Sequence, residues 1–260
     1  MISQFRDIYR YREAVRNLVA RDLKVRYSNS ALGIVWSLFS PLLMTVVYYV
    51  VFTYLVQNGI QKFPVYIMAG LMPWTYFTSS LIGATLAISA NGHLINRVYF
   101  PREVLPLANL LSNGVNFLIS LVLLFAVIVV FQIPLSASLV WLPVIVLIQT
   151  VLSFGLGLLL AAVNVYFRDT QQLVDVAILA WFFVTPIIYP LDIIKNSTLK
   201  LVLQIVNPMA GLVVAYQHVL YSGDWPQLSL LAITALEAVL VLVVGALVFR
   251  RLSPAFAEEV

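Results

Sequence analysis

From Val104 to Ile133 the chain runs for thirty residues without a single Asp, Glu, Lys or Arg. A helix needs about 20 apolar residues to cross a hydrocarbon layer of about 30 Å. No water satisfies the backbone in that medium, so such a run has to close its own hydrogen bonds as a helix. Comparable runs lie at about Leu32–Val56, Val65–Ala90, Leu139–Tyr166, Leu173–Tyr189 and Leu228–Val248. Together they predict an all-α polytopic membrane protein with six transmembrane helices. Composition agrees, because only 10% of residues are charged where a soluble domain carries about 25%.

Between the fifth and sixth runs, Asp192 to Trp225 is apolar enough to suggest a seventh crossing. Asn207-Pro208 cuts it in the middle, and Gln204, Gln217 and His218 are scattered through it. Two short re-entrant helices on the outer side fit better. Basic residues support the lower count, since Lys and Arg concentrate in short cytoplasmic loops. With six spans and both termini inside, twelve basic residues face the cytoplasm and only Lys62, Lys195 and Lys200 face outward. A seventh span would move Arg250 and Arg251 outside, against that bias.

Residues 1–30 are polar but patterned. Ile8, Tyr11, Val15, Leu18, Val19 and Leu23 form one helical stripe, with Arg6, Arg10, Glu13, Asn17, Arg21 and Lys24 opposite. That is the pattern of an amphipathic interfacial helix, although a helix packed on a partner would read similarly and Arg12 and Asp22 fall near the apolar stripe. The run that follows is too long for a signal-peptide core, so the first span is expected to be retained. The organisation expected is a single transmembrane domain over 1–260, with the interfacial helix at 1–30, the bundle at 32–248 and a cytoplasmic tail at 249–260.

Several classes of chemistry are disfavoured. The basic residues flank apolar runs and form no folded basic face, so nucleic acid is not an expected partner. Without cysteine there is no disulfide framework or thiolate metal site, and neither His93 nor His218 stands in a metal-ligand spacing. No glycine pattern matches the phosphate-binding loop G-x-x-x-x-G-K-[ST]. No metal, cofactor or nucleotide is expected on this chain, and it does not read as an enzyme.

Three features could carry function. Asn109, Asn113, Asn116 and Ser120 recur at helical spacing in the third span, a polar stripe suited to bonding across to another helix or to touching substrate. Glu237 stands alone inside the sixth span, where an acid is costly and a candidate for function by default. Aromatic residues cluster in the first, second and fifth spans, several deeper than interface anchoring requires. Tyr and Trp join a flat apolar face to a polar tip, which suits sugar rings as well as plain packing.

The segments "RDLKVRYSNSALGIVWSLFSPL" (Arg21 to Leu42), "MAGLMPWTYF" (Met68 to Phe77), "NRVYFPREVLPLANL" (Asn96 to Leu110), "VYFRDTQQL" (Val165 to Leu173) and "TPIIYPLD" (Thr185 to Asp192) occur in an order that resembles the permease subunit of ABC-2-type exporters. Within that family they are similar to the branch exporting O-antigen, capsular or teichoic-acid polysaccharide. The resemblance implies a homodimer in the bacterial cytoplasmic (inner) membrane, with ATP and Mg held by two separate ATPase subunits. It also implies a path for a lipid-linked glycan between the first and fifth spans, which here carry Tyr48, Tyr49, Phe52, Trp181 and Phe183. The charged interruption "HLINRVYFPREVLP", His93 to Pro106, becomes a coupling helix, offering Arg97, Tyr99, Phe100, Arg102 and Glu103 to an ATPase groove. Export of a drug or small lipid, and an ion-coupled transporter using Glu237, stay open as alternatives.

Overall fold

The computed structural model describes residues 11–28, 35–55, 59–95 and 100–259. Helices account for the described elements: α1 (Arg12–Tyr27), α2 (Val35–Val50, continued by a π turn Val51–Leu55), α3 (Phe63–Leu86), α4 (Val104–Val130), α5 (Leu142–Tyr166), α6 (Thr170–Val184), α7 (Ser197–Val206), α8 (Pro208–Gln217, continued by a π turn His218–Ser222) and α9 (Leu228–Leu252). A last helical turn, Phe256–Glu259, follows α9. No strand occurs among the described residues.

Among those residues, three helices are long and apolar enough to cross a membrane: Val104–Val130, Ala137–Tyr166 and Leu228–Ala255. The count becomes four if α7 and α8 form one broken span, for they meet at 106°. Asn207 makes that corner. Its Oδ1 accepts from the Ala210 amide at 3.1 Å, capping α8, and Pro208 is tolerated in the first turn because its missing N–H would be unpaired there anyway.

Helix α3 is the least lipid-like of the long helices and the most enclosed. It carries Pro73, Trp74, Thr75, Tyr76, Thr78, Ser79 and Ser80, yet seventeen of its residues are buried. Several of its polar groups are satisfied by its own backbone or by neighbouring helices. Pro73 O accepts from Gln149 Nε2 at 2.7 Å, and Gln149 Oε1 in turn accepts from Tyr216 OH at 2.7 Å. One fully buried amide therefore joins α3, α5 and α8 with both ends satisfied, which is the condition for a polar side chain in hydrocarbon. Tyr76 and Thr150 add a second hydroxyl bond between α3 and α5 at 3.2 Å.

The last helix docks on α5 through glycine. A Cβ on Gly155 would meet the Leu242 amide nitrogen at 2.5 Å, and one on Gly245 would collide with the Gly155 carbonyl oxygen. Only missing side chains let these two backbones touch, the usual device where lipid supplies no hydrophobic drive to press helices together.

The fifth apolar run stops earlier than its sequence suggests. Pro186 forces Thr185 out of the helical region, to φ −96° and ψ 131°, so α6 ends at Val184 instead of continuing toward Tyr189. The amphipathic segment near the start is helical over Arg12–Tyr27 and packs on α4, with Val15 buried and Leu18 against a core cluster. Asp22, which interrupts its stripe, pairs with Arg21 at 3.1 Å. Ile8 and the residues before Tyr11 lie outside the described residues.

Candidate functional site

A cleft of about 650 Å³ opens between α2, α3, α4 and α6, with the end of α1 closing one end. Its lining has two chemical sides. On α3 and α4 stand Thr75, Ser79, Asn113, Asn116 and Ser120; on α2, α3 and α6 stand Tyr48, Trp74, Phe182 and Phe183. The aromatic side is built ring on ring. Tyr48 stacks on Phe182 at 6.3 Å and 29°, Phe182 meets Trp74 at 5.8 Å, and Phe183 stands edge-on to Phe182 at 5.5 Å. From Tyr48 the series continues away from α1 through Phe52, Phe63, Tyr66 and Tyr221.

The polar side is fixed by α1. Arg26 Nη1 donates to Asn113 Oδ1 at 3.1 Å, and Tyr27 OH bonds Asn116 Oδ1. Asn113 Nδ2 donates to the Ser79 carbonyl at 3.2 Å and to Asn109 Oδ1 at 3.1 Å. Asn109 itself lies where a Cβ on Gly83 would be. The asparagine stripe thus ties α4 to both α1 and α3 while Asn113 and Asn116 also border the cleft. Arg26 and Asp175 are the charged groups of its lining, and neither forms a salt bridge among the described residues.

Of the rings expected along a path, Tyr48 and Phe183 line the cleft and Phe52 stands next to Tyr48, 6.3 Å away. Tyr49 turns toward Tyr54, with centroids 6.2 Å apart. Trp181 leaves the cleft altogether. Its Nε1–H donates to Asn207 Oδ1 at 2.7 Å and its ring stands edge-on to Phe77, so it fastens α6 to the α7–α8 corner. Glu237 is half-buried on α9, with Oε2 enclosed and unpartnered among the described residues, and it is not in the cleft lining.

The segment before α4 sits at the opposite end of the molecule from that corner. Phe100 packs on a small buried cluster of Ala87, Ile88, Leu105, Leu158, Ala161, Ala162, Val165, Phe249 and Phe256. Arg102 lies over the Phe256 ring, 5.8 Å from its centroid. Glu103 stands at the N-cap position, where its carbonyl accepts from Leu107 N at 3.1 Å. Arg97 and Tyr99 lie outside the described residues.

The profile of the ABC-2 type transporter family matches residues 13–221. The chain belongs to this family. It is 35% identical over 260 residues, the full length of both chains, to the O-antigen export system permease protein RfbA of Myxococcus xanthus. It is 32% identical over 241 residues to the protein of the same name from Klebsiella pneumoniae, covering 92% of this chain and 91% of that one. To the polysialic acid transport protein KpsM of Escherichia coli it is 24% identical over 244 residues, covering 91% and 92%.

In this ABC-2 chain the cleft gathers Arg26 and Asp175, which aromatic content does not single out, and it selects Trp74 and Phe182 from among the aromatic residues of α3 and α6. A signal for them does exist. Asp175, Ile178, Leu179, Phe182 and Phe183 fall on one helical stripe of α6, as do Asn113, Asn116, Phe117 and Ser120 on α4. Trp181 belongs to a different stripe, with Thr185, whose hydroxyl donates back to the Trp181 carbonyl at 2.8 Å.

Proposed function

We propose that this chain is the membrane subunit of an ATP-driven exporter of lipid-linked polysaccharide, which crosses the bacterial inner membrane six times with both termini in the cytoplasm. The observation that carries the reading is the two-sided cleft. Stacked rings offer apolar faces to the C–H faces of sugars, and Asn116, Ser79, Thr75 and Ser120 offer donors and acceptors to hydroxyl edges. Arg26 stands where an anionic group of the cargo would enter from the α1 end. Relatives named for O-antigen export and polysialic acid transport, alike over nine-tenths or more of the chain, support the same substrate class.

In this reading the exposed flank of α2 and α6, including Val46, Val47, Val176 and Phe183, meets a second copy and converts two open clefts into one enclosed path. Two separate ATPase subunits bind ATP and Mg on the cytoplasmic side and press on the segment before α4 and on α1. The α7–α8 pair forms the outer rim, entering and leaving the membrane from one side. Glu237, outside the cleft, packs the last helix and does not relay protons.

The test uses the chain reconstituted with its ATPase subunit in proteoliposomes that hold lipid-linked polysaccharide. Transfer across the bilayer should require hydrolysable ATP. Tyr48→Ala and Phe183→Ala should cut transfer several-fold while the ATPase still co-purifies, whereas Trp181→Phe, which loses the bond to Asn207 and part of the ring packed on Phe77, should lower thermal stability with transfer per folded complex unchanged. Glycan movement driven by an ion gradient without ATP, or no glycan movement at all, refutes the assignment.

A further inference from the structure

The segment before α4 does not stand free; a helical turn from the far end of the chain supports it. Phe256 is fully buried. Its ring meets Phe249 edge-on at 5.3 Å and Tyr166 at 6.2 Å. The Tyr166 hydroxyl donates to the Leu252 carbonyl at 2.9 Å, which pins the end of α9 against the end of α5. On that platform the Arg102 guanidinium lies 5.8 Å from the Phe256 centroid, and Phe100 packs on the same cluster.

Two physical consequences follow. An aromatic face attracts a guanidinium and also limits its orientation, because the planar group settles over the ring. A push on Arg102 or Phe100 from the cytoplasm would therefore pass into Phe256, and through it to the ends of α5 and α9, which the glycine crossing locks together. Close-packed interiors transmit such displacement because they compress little.

We infer that the turn after α9, acting through Phe256, is part of the coupling element: it positions Arg102 for the ATPase subunit and carries the ATPase stroke into α5 and α9. The inference rests on the exporter reading above. Phe256 is a positioning residue and touches neither cargo nor nucleotide.

The decisive comparison is Phe256→Leu, which keeps most of the apolar volume and removes the π face, measured with Arg102→Ala and the double variant in reconstituted complexes. The readout is ATP hydrolysed per glycan transferred, after co-purification confirms that the ATPase subunit is bound. Phe256→Leu should raise that ratio about two- to five-fold, the scale of a partly exposed cation–π contact, and Phe256→Leu in the Arg102→Ala background should add nothing further. Tyr166→Phe, which loosens the turn without removing volume, should raise the ratio less and keeps the test alive if Phe256→Leu does not assemble.

A ratio unchanged by both Phe256→Leu and Tyr166→Phe in assembled complexes overturns the inference. So do additive effects of Phe256→Leu and Arg102→Ala, which would mean that the two side chains act separately. If Arg102→Ala alone uncouples hydrolysis, the exporter reading stands and only the supporting role of the turn falls. If the unmodified complex transfers no glycan with ATP, both fall together.

Discussion

Replacing Asn113 by Ala separates fastening from substrate contact in the polar side of the cleft. Asn113 is 3% exposed, and its amide serves three partners: Arg26 Nη1 at 3.1 Å, the Ser79 carbonyl at 3.2 Å and Asn109 Oδ1 at 3.1 Å. Two of these bonds cross between helices, and the third stays within α4. Interhelical side-chain bonds in membrane proteins average about 0.6 kcal/mol and reach about 1.7 kcal/mol. Ser79 O belongs to the helical backbone and Arg26 is exposed enough to hydrate, so neither is stranded at full cost. The expected loss is therefore about 1 to 2 kcal/mol, well below the 3 to 5 kcal/mol typical of breaking a buried ion pair. Unfolding of the purified chain in detergent, with no glycan present, measures it. Arg26→Gln should cost less in the Asn113→Ala background than alone, by roughly 0.5 to 1.5 kcal/mol, because the bond it would remove is already gone. Unchanged stability together with lost glycan transfer would refute this account and make Asn113 a substrate contact.

Glycine contacts and the distribution of basic residues give the remaining expectations. Gly245→Ala should destabilise the chain by about 1 to 3 kcal/mol, because its Cβ meets the Gly155 carbonyl oxygen and overpacking against backbone outweighs the gain of about 1 kcal/mol in helix propensity. Gly114→Ala, whose nearest neighbour is Tyr76 OH at 3.7 Å, should be neutral or stabilising by up to about 1 kcal/mol, and thermal melting of the two variants side by side checks the ranking. For topology, single cysteines at Ser3 and Ser253 should be labelled only from the cytoplasm and one at Asn196 only from outside; outside labelling at both Asn196 and Ser253 would mean that the stretch after Tyr189 crosses the membrane.

The sequence alone determined that this chain is helical and lives in a bilayer, because uninterrupted apolar runs leave the backbone no other way to satisfy its hydrogen bonds. It also marked the Asn207-Pro208 break, since proline chemistry is local, and the asparagine stripe of α4, since helical period is local. Facing was not local. Trp181 and Phe182 are neighbours in sequence and equally aromatic, yet one turns to Asn207 and the other to the cleft. Their directions depend on where α2, α3 and α8 lie around α6, which no single run encodes. The same holds for Gly155 against Gly245 and for Arg102 over Phe256. Each of these pairs is distant in sequence and is made a pair only by packing. Apolar content decides that a helix enters the membrane, but lipid is as apolar as leucine, so which helices touch is decided by close fit and shared hydrogen bonds, and these exist only in the assembled bundle.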